Sequence, residues 1–319
     1  MTSVVTGATG VVGSALVRHL LAAGGQVRAV IRPGRRLPAG VEPLVGDVLD
    51  YSSLLTAFRG ARLVFHVAGV NQMCLRDPRM MYRVNVDGTR NVLRAARAAG
   101  VEKLVYTSSA ATIGEEVGAI GAEDTVHRGK FNSHYERSKY QAEQVVLTEG
   151  RDMDLVTLNP SSVQGPGRAT GTGRLLLALA AGRLSTLVDT RLSIVDIDDC
   201  ARGHLLAANH GRRGSRYLLN SFSMTTQEAV SLIEVVTGRT RRVHYLPPQL
   251  ASLGAGIVGG AFRLIRRDAP LCTEMARTLR HGHVFDGSRA TRELGLIYTE
   301  ATVTLTRLIE WARGQGLLA

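Results

Sequence analysis

The first thirteen residues constrain this chain more than any other stretch. Val4-Val5-Thr6 reads as a short apolar strand, Gly7-Ala8-Thr9-Gly10 as a turn, and Val12 to Ala23 as a helix with Leu16, Leu20 and Leu21 on one side. Thr6-Gly7-Ala8-Thr9-Gly10-Val11-Val12-Gly13 therefore joins a strand to a helix. Glycine at 7, 10 and 13 permits a tight turn and lets backbone approach a pyrophosphate. The helix start supplies unpaired N–H groups and the positive end of its dipole. In this context the expectation is a nucleotide-binding loop; the alternative is a turn kept glycine-rich for packing alone.

The rest of the first half repeats the alternation. Strands are expected at Gln26–Ile31, Leu63–Val67, Leu104–Thr107 and Leu155–Leu158. Helices are expected at Leu54–Phe58, at Asn85–Ala99 closed by Gly100, and at Tyr135–Thr148. Such a pattern predicts an α/β fold: a Rossmann-type, doubly wound parallel sheet whose ligands bind at the strands' carboxyl ends. Residues 1–160, completed by about 190–215, form the expected dinucleotide-binding domain. The smaller, mainly helical and interleaved region 161–319 is expected to bind substrate. Its elements are helices at Arg174–Ala181, Asp198–Asn209, Thr225–Thr237 (capped by Ser223 or Thr225), Arg289–Leu294 and Thr302–Arg313, with strands at Ser193–Ile197 and Arg216–Leu219.

Cofactor choice follows from the second strand. A site selective for NAD(H) places an acid at that strand's end, against the ribose 2′-hydroxyl. Here the strand ends in Arg32, followed by Arg35 and Arg36, and guanidinium groups suit a 2′-phosphate. The expectation is NADP(H), with NAD(H) the alternative. Asp47, followed by Val48, ends the next short strand; it is either an acceptor for the adenine amino group or a turn and cap residue.

Tyr135 and Lys139 stand four residues apart at the start of a helix, so both side chains share a face. A nearby cation favours phenolate and would lower the tyrosine pKa toward acid–base duty. Val105-Tyr106-Thr107-Ser108-Ser109 brings small hydroxyls to a strand's carboxyl end, where a serine can bond a substrate oxygen. Ser109 is the choice and Ser108 the alternative. Asn85 either holds a water that connects Lys139 to solvent or bonds backbone at its helix end. His66, His127 and His134 are read as loop or sheet-end residues, with His134 worth one test.

The formal charge of +12 and a pI near 10.3 invite a nucleic-acid reading. Arginines are spread along the whole chain, however, and no basic cluster is interleaved with aromatics, so no nucleic-acid partner is expected. At 45% hydrophobic and 21% charged, the chain is globular rather than disordered. Cys74, Cys200 and Cys272 are odd in number, far apart and without metal-ligand spacing. The expectation is free thiols in a reducing, cytoplasmic compartment, with no metal. Strand pattern begins at Ser3, which leaves no room for a signal peptide. The apolar run Leu250–Phe262 is too short to cross a bilayer, and its Leu253–Phe262 part is read as a core or pocket helix rather than a membrane contact.

Together these motifs resemble the extended short-chain dehydrogenase/reductase family, also called the NAD-dependent epimerase/dehydratase family. The resemblance extends through Gly46-Asp47-Val48, His66-Val67-Ala68-Gly69, Asn85-Val86-x-Gly88-Thr89, Asn159-Pro160-Ser161-Ser162-Val163-x-Gly165-Pro166-Gly167 and Val195-Asp196-Ile197-Asp198-Asp199. Val27-Arg28-Ala29-Val30-Ile31-Arg32-Pro33 is most similar to the dihydroflavonol-4-reductase, 3β-hydroxysteroid dehydrogenase and hopanoid-associated epimerase-like branch. The resemblance implies catalysis by Ser109, Tyr135 and Lys139. It also implies cofactor contacts from Val67, Ala68, Gly69, Thr107, Tyr135, Lys139 and Pro160 to Val163, with Arg32 at the 2′-phosphate. A homodimer through the helices Asp87–Ala99 and Tyr135–Thr148 is implied as well. Ala110-Ala111 replace the Asp-Glu pair of the sugar-nucleotide dehydratases, which argues against dehydration. Thr157-Leu158-Asn159 replaces the arginine segment of many epimerases. The resulting expectation is an NADP(H)-dependent ketone reductase or secondary alcohol dehydrogenase for a small, apolar or aromatic substrate. The rivals are a sugar-nucleotide epimerase with retained cofactor and a non-catalytic, cofactor-sensing protein.

Overall fold

Residues of both parities in the apolar runs are buried, so each run can lie in a sheet covered on both faces. The structure, a computed structural model, describes residues 2–250, 255–256, 262 and 272–318. The strands are β1 (Thr2–Thr6), β2 (Gln26–Ile31), β3 (Val41–Val45), β4 (Leu63–His66), β5 (Lys103–Thr107), β6 (Ile120–Gly121) and β7 (Leu155–Pro160). They continue with β8 (Ser162–Gln164), β9 (Thr186–Val188), β10 (Arg191–Asp196), β11 (Arg216–Leu219), β12 (Phe222–Thr225), β13 (His244–Leu246) and β14 (Val284–Phe285). Seven of them form one parallel sheet in the order β11-β7-β5-β4-β1-β2-β3. Strand order reverses between β1 and β4, and the crevice outside their carboxyl ends is where an open α/β sheet takes its ligand.

Val5, Ala29, Phe65 and Val105 pack on one side against α1 (Val11–Ala22) and α7 (Ile197–His210) through Leu16, Val17, Leu20, Ala201 and Ala207. Val4, Val30, Val64 and Leu104 face the other side. There they meet Leu54, Phe58, Val92, Leu93, Ala142 and Val146 of α2 (Tyr51–Phe58), α4 (Gly88–Ala98) and α5 (His134–Glu149). Each large side chain so buried stabilises the fold by roughly 1.5–3 kcal/mol relative to exposure. The expected helix from Asn85 starts differently: α3 (Arg79–Tyr82) runs through one π turn, Arg83–Asp87, into α4.

A third core joins α6 (Thr172–Ala180), α8 (Thr226–Thr237) and α11 (Ala301–Gly314) through Leu176, Leu179, Ile233, Leu305 and Leu308. Thr225, rather than Ser223, caps α8: its hydroxyl and Glu228 form a reciprocal capping box. Small sheets β12-β10-β8, β13-β9 and β14-β6 tie these parts together. Sequence periodicity missed most of these strands because two or three residues carry no period. Two further helices are α9 (Thr273–His281) and α10 (Ser288–Leu294). Most of Leu250–Leu264, including the expected Leu253–Phe262 helix, lies outside the described residues. No helix among the described residues is long and apolar enough to cross a membrane.

The thiol expectation needs correction. Cys74 and Cys272 form a disulfide across 198 residues of sequence, with Cα atoms 5.6 Å apart; only Cys200, which is buried, is free. Distance along the chain says nothing about distance in space: the loop after β4 and the residue preceding α9 meet only in the folded protein. The bond also removes the thiol argument for a reducing compartment.

Candidate active site

The glycine loop is shaped by contacts that a side chain would block. Gly7 has φ +74°, and a Cβ there would lie 2.6 Å from the Ala68 nitrogen; one at Gly13 would lie 2.1 Å from the Gly7 oxygen. Gly10 occupies the N-cap of α1 with no side-chain cap, and no acid stands in the first turn. The N–H groups at this end are therefore left for an incoming anion.

Behind the loop, hydrogen bonds fix a histidine tautomer. Thr89 Oγ1 donates to the Asn85 carbonyl (2.6 Å), so it must accept from His66 Nε2 (3.1 Å). His66 Nδ1 is then the acceptor for Thr6 Oγ1 (2.8 Å), which itself accepts from Ala68 N–H (3.3 Å). A proton on Nδ1 would break this chain, and burial pushes the His66 pKa down to about 3, helped by the nearby Lys139 charge. His66 is thus a neutral strut that joins Thr6, at the start of the loop, to α4.

Other expected cofactor residues fall around the same crevice. Arg32, Arg35 and Arg36 are exposed just past β2. Asp47 turns inward to accept from Leu49 N–H (2.9 Å), which is the turn and cap role. Val48 is buried against Gly88. Val67 donates its N–H to the Thr6 carbonyl, and a Cβ on Gly69 would come within 3.3 Å of Asn85 Oδ1 and 4.0 Å of Lys139 Nζ. Thr107 donates its hydroxyl to His204 Nε2 (2.7 Å), whose Nδ1 is held by the Cys200 carbonyl; burial pushes the His204 pKa down to about 4. Pro160 ends β7, Ser162 and Val163 lie in β8, and between them Ser161 has a buried hydroxyl without a hydrogen-bond partner among the described residues.

Ser133 caps α5 by accepting from Glu136 N–H, which sets the register that carries Tyr135 and Lys139. Burial raises the Tyr135 pKa; a hydrogen bond with Ser109 and the charge of Arg168 pull against it without winning. Lys139 Nζ donates to the Tyr106 hydroxyl (3.0 Å) and the Thr107 carbonyl (2.8 Å), and burial lowers its pKa to about 8. This corrects the expected tuning. In this arrangement Ser109 and Arg168, rather than Lys139, moderate the phenol, because the ammonium is turned into the carboxyl end of β5. At neutral pH the phenol keeps its proton and can donate it.

The two serines separate cleanly. Ser108 donates to the buried carboxylate of Glu143, whereas Ser109 faces Tyr135. Glu143 also accepts from Asn159 Nδ2 (2.7 Å) and Arg216 Nη1 (2.8 Å), so it anchors α5 to β7 and β11 one turn after Lys139. Asn85 spends its amide on the Val70 carbonyl (3.0 Å) and Ser138 Oγ (2.9 Å), and its Oδ1 accepts from Val70 N–H (2.7 Å). It therefore bonds the loop after β4 to α5, closer to the backbone-bonding alternative than to a water carrier. His134 is exposed and pairs with the Tyr82 hydroxyl (3.0 Å). His127 lies against Tyr140 and Phe131.

Sequence reading missed Glu143, Arg168 and the His66 and His204 struts. Glu143 carried a faint signal, one helical turn beyond Lys139. Arg168 carried none, because only the fold of Gly165–Gly167 brings its guanidinium within reach of Tyr135.

The sequence profile described as the NAD dependent epimerase/dehydratase family matches residues 3–219. The chain is 34% identical to a "Putative dihydroflavonol 4-reductase" of Synechocystis sp., covering 98% of this chain and 94% of that one. It is 35% identical to "Sterol demethylase protein B" of Methylococcus capsulatus over the whole of both chains. Among solved structures, gox2253 superposes with a TM-score of 0.87 at 32% identity, covering 100% of this chain and 99% of that one.

Proposed function

This chain belongs to the NAD-dependent epimerase/dehydratase family of extended short-chain dehydrogenases/reductases, and from that premise we propose an NADP(H)-dependent reductase of a small apolar or aromatic ketone, or the reverse secondary-alcohol dehydrogenase. Membership makes it an enzyme that uses a nicotinamide dinucleotide. One observation carries the finer reading: Ser109 and a protonated Tyr135 face each other at the sheet's carboxyl edge, on the helix that carries Lys139.

The residues present fit a dinucleotide. A Cβ at Gly7 or Gly13 would fill the cradle, and Ser161 offers a buried hydroxyl with no partner among the described residues. The pyrophosphate would lie on Thr9, Gly10, Val11 and Val12, with Arg32, Arg35 and Arg36 toward a 2′-phosphate. When bound, the nicotinamide supplies or takes the hydride. Ser109 holds the substrate oxygen and Tyr135 gives it a proton. Lys139 positions the carboxyl end of β5 and adds positive field beside the developing oxyanion. Ala110 and Ala111, which follow Ser109, bring no carboxylate to drive elimination of water.

Tyr135→Phe tests this reading. Turnover of NADPH with a ketone panel should fall by about a hundredfold or more, with NADPH affinity kept within a few-fold. Persistent turnover would place the proton donor elsewhere. A tightly retained cofactor with no net NADPH consumption would favour the epimerase reading.

A homodimer through α4 and α5 accompanies this proposal. Arg90 of α4 pairs with Glu149 of α5 within the chain (2.9 Å), which holds the two helices side by side as one surface. Light scattering that reports only the 34.3 kDa chain at all salt concentrations would exclude it. A cytoplasmic location is the companion reading. Labelling of Cys74 and Cys272 in protein alkylated within intact cells would support it, and their protection would count against it.

A further inference from the structure

Away from the dinucleotide crevice, Glu115, His281 and His283 converge. Each offers one ligand atom, and these atoms lie within 4.8 Å of one another. Glu115 Oε1 is 2.6 Å from His283 Nδ1 and 3.3 Å from His281 Nε2. The two imidazole rings lie 4.4 Å apart, centroid to centroid. Glu115 is 1% exposed and His281 7%.

A plain hydrogen-bonded cluster leaves this arrangement incomplete. The Glu115–His283 bond uses one carboxylate oxygen and one ring nitrogen. Glu115 Oε2 and His281 Nε2 are both buried with no hydrogen-bond partner among the described residues. Buried polar atoms normally find partners, and two orphans within one cluster of ligand atoms call for one. We propose that Glu115, His281 and His283 bind a divalent transition-metal ion of the zinc class. Two imidazoles and one carboxylate suit zinc, cobalt(II), nickel(II) or iron(II), whereas calcium and magnesium prefer all-oxygen sets.

The frame around the three donors is already set. Gly282 takes φ +65° between the two histidines, whose rings lie beside one another. Ser193 Oγ donates to the His283 carbonyl (2.8 Å), and Thr190 Oγ1 donates to the Leu279 carbonyl. β14 pairs with β6, so the two ligand-bearing segments are joined by backbone as well. Arg128 Nη1 donates to the Glu115 carbonyl (3.0 Å) while its other arm pairs with Glu136, the neighbour of Tyr135. Ligands held by such outer contacts keep their orientation when a metal arrives. Tetrahedral zinc needs donor atoms roughly 3.3 Å apart, given bonds of about 2.0–2.1 Å. The Glu115–His283 contact of 2.6 Å has to open, whereas the Glu115–His281 distance of 3.3 Å already matches. The ion would staple the segment after Ser109 to the segment 281–285, with its fourth position left to water.

Chelator-treated, tag-free protein titrated with cobalt(II) gives the test. One equivalent should produce the visible absorption of a tetrahedral site, and zinc should displace it. His281→Gln and His283→Gln should each weaken binding at least about tenfold, as should Glu115→Gln, while His134→Gln leaves it unchanged. Uptake well below one equivalent, or binding indifferent to these substitutions, would overturn the proposal. Should the variants fail to fold, proton NMR of the wild type decides: zinc must shift two imidazole signals, one from each of His281 and His283. These readouts are independent of NADPH turnover.

Discussion

Acid should unfold this protein through two buried neutral histidines. His66 and His204 have folded pKa values lowered from 6.5 to about 3 and about 4. A folded value below the unfolded one means the unfolded chain takes up the proton first. The stability these groups contribute is complete above pH 6.5 and drains away as pH falls toward 3 and 4. At pH 5 each histidine has withdrawn about 2 kcal/mol, so the pair withdraws about 4 kcal/mol from a total that for a typical domain is only 5–15 kcal/mol. The local slope is the sharper measure. Near pH 5.5 each unfolded histidine is about nine-tenths protonated, and each contributes a slope of about 1 kcal/mol per pH unit. Urea denaturation between pH 5 and 7.5 measures that slope. His66→Gln changes the baseline by removing bonds to Thr6 and Thr89, and it should lower the slope by about 1 kcal/mol per pH unit. An unaltered slope would show that His66 is not held neutral, and the hydrogen-bond chain from Ala68 to Asn85 would be wrongly oriented.

Two other outcomes bear on the cofactor and the reacting oxygen. Arg32→Ala should raise the Kd for NADPH roughly tenfold or more while leaving NADH almost unaffected, since only NADPH offers a phosphate for the guanidinium; equal losses in a fluorescence titration would place the 2′-phosphate elsewhere. Ser109→Ala should lower kcat/KM by about a hundredfold through loss of the bond to the substrate oxygen. Ser108→Ala, which removes a partner of buried Glu143, should chiefly lower Tm. The reverse pattern in kinetics and thermal melting would exchange the roles of the two serines.

Local chemistry made much of this protein readable from its amino acids. The glycine spacing from Gly7 to Gly13, the apolar strands and the four-residue step from Tyr135 to Lys139 depend on backbone sterics and helical period, which act over a few residues. They sufficed for the parallel sheet, its ligand edge and the family. Ser109 could be preferred to Ser108 but not separated from it, because adjacent residues at a strand end share the same local signal. Only the tertiary structure turned Ser108 toward Glu143 and left Ser109 beside the phenol. The same holds for the Cys74–Cys272 bond, for the two histidine struts, and for Glu115 meeting His281 and His283. Each joins residues far apart along the chain, and no periodicity or spacing encodes such a meeting. Burial decides their chemistry, and burial is a property of the assembled core rather than of any segment within it.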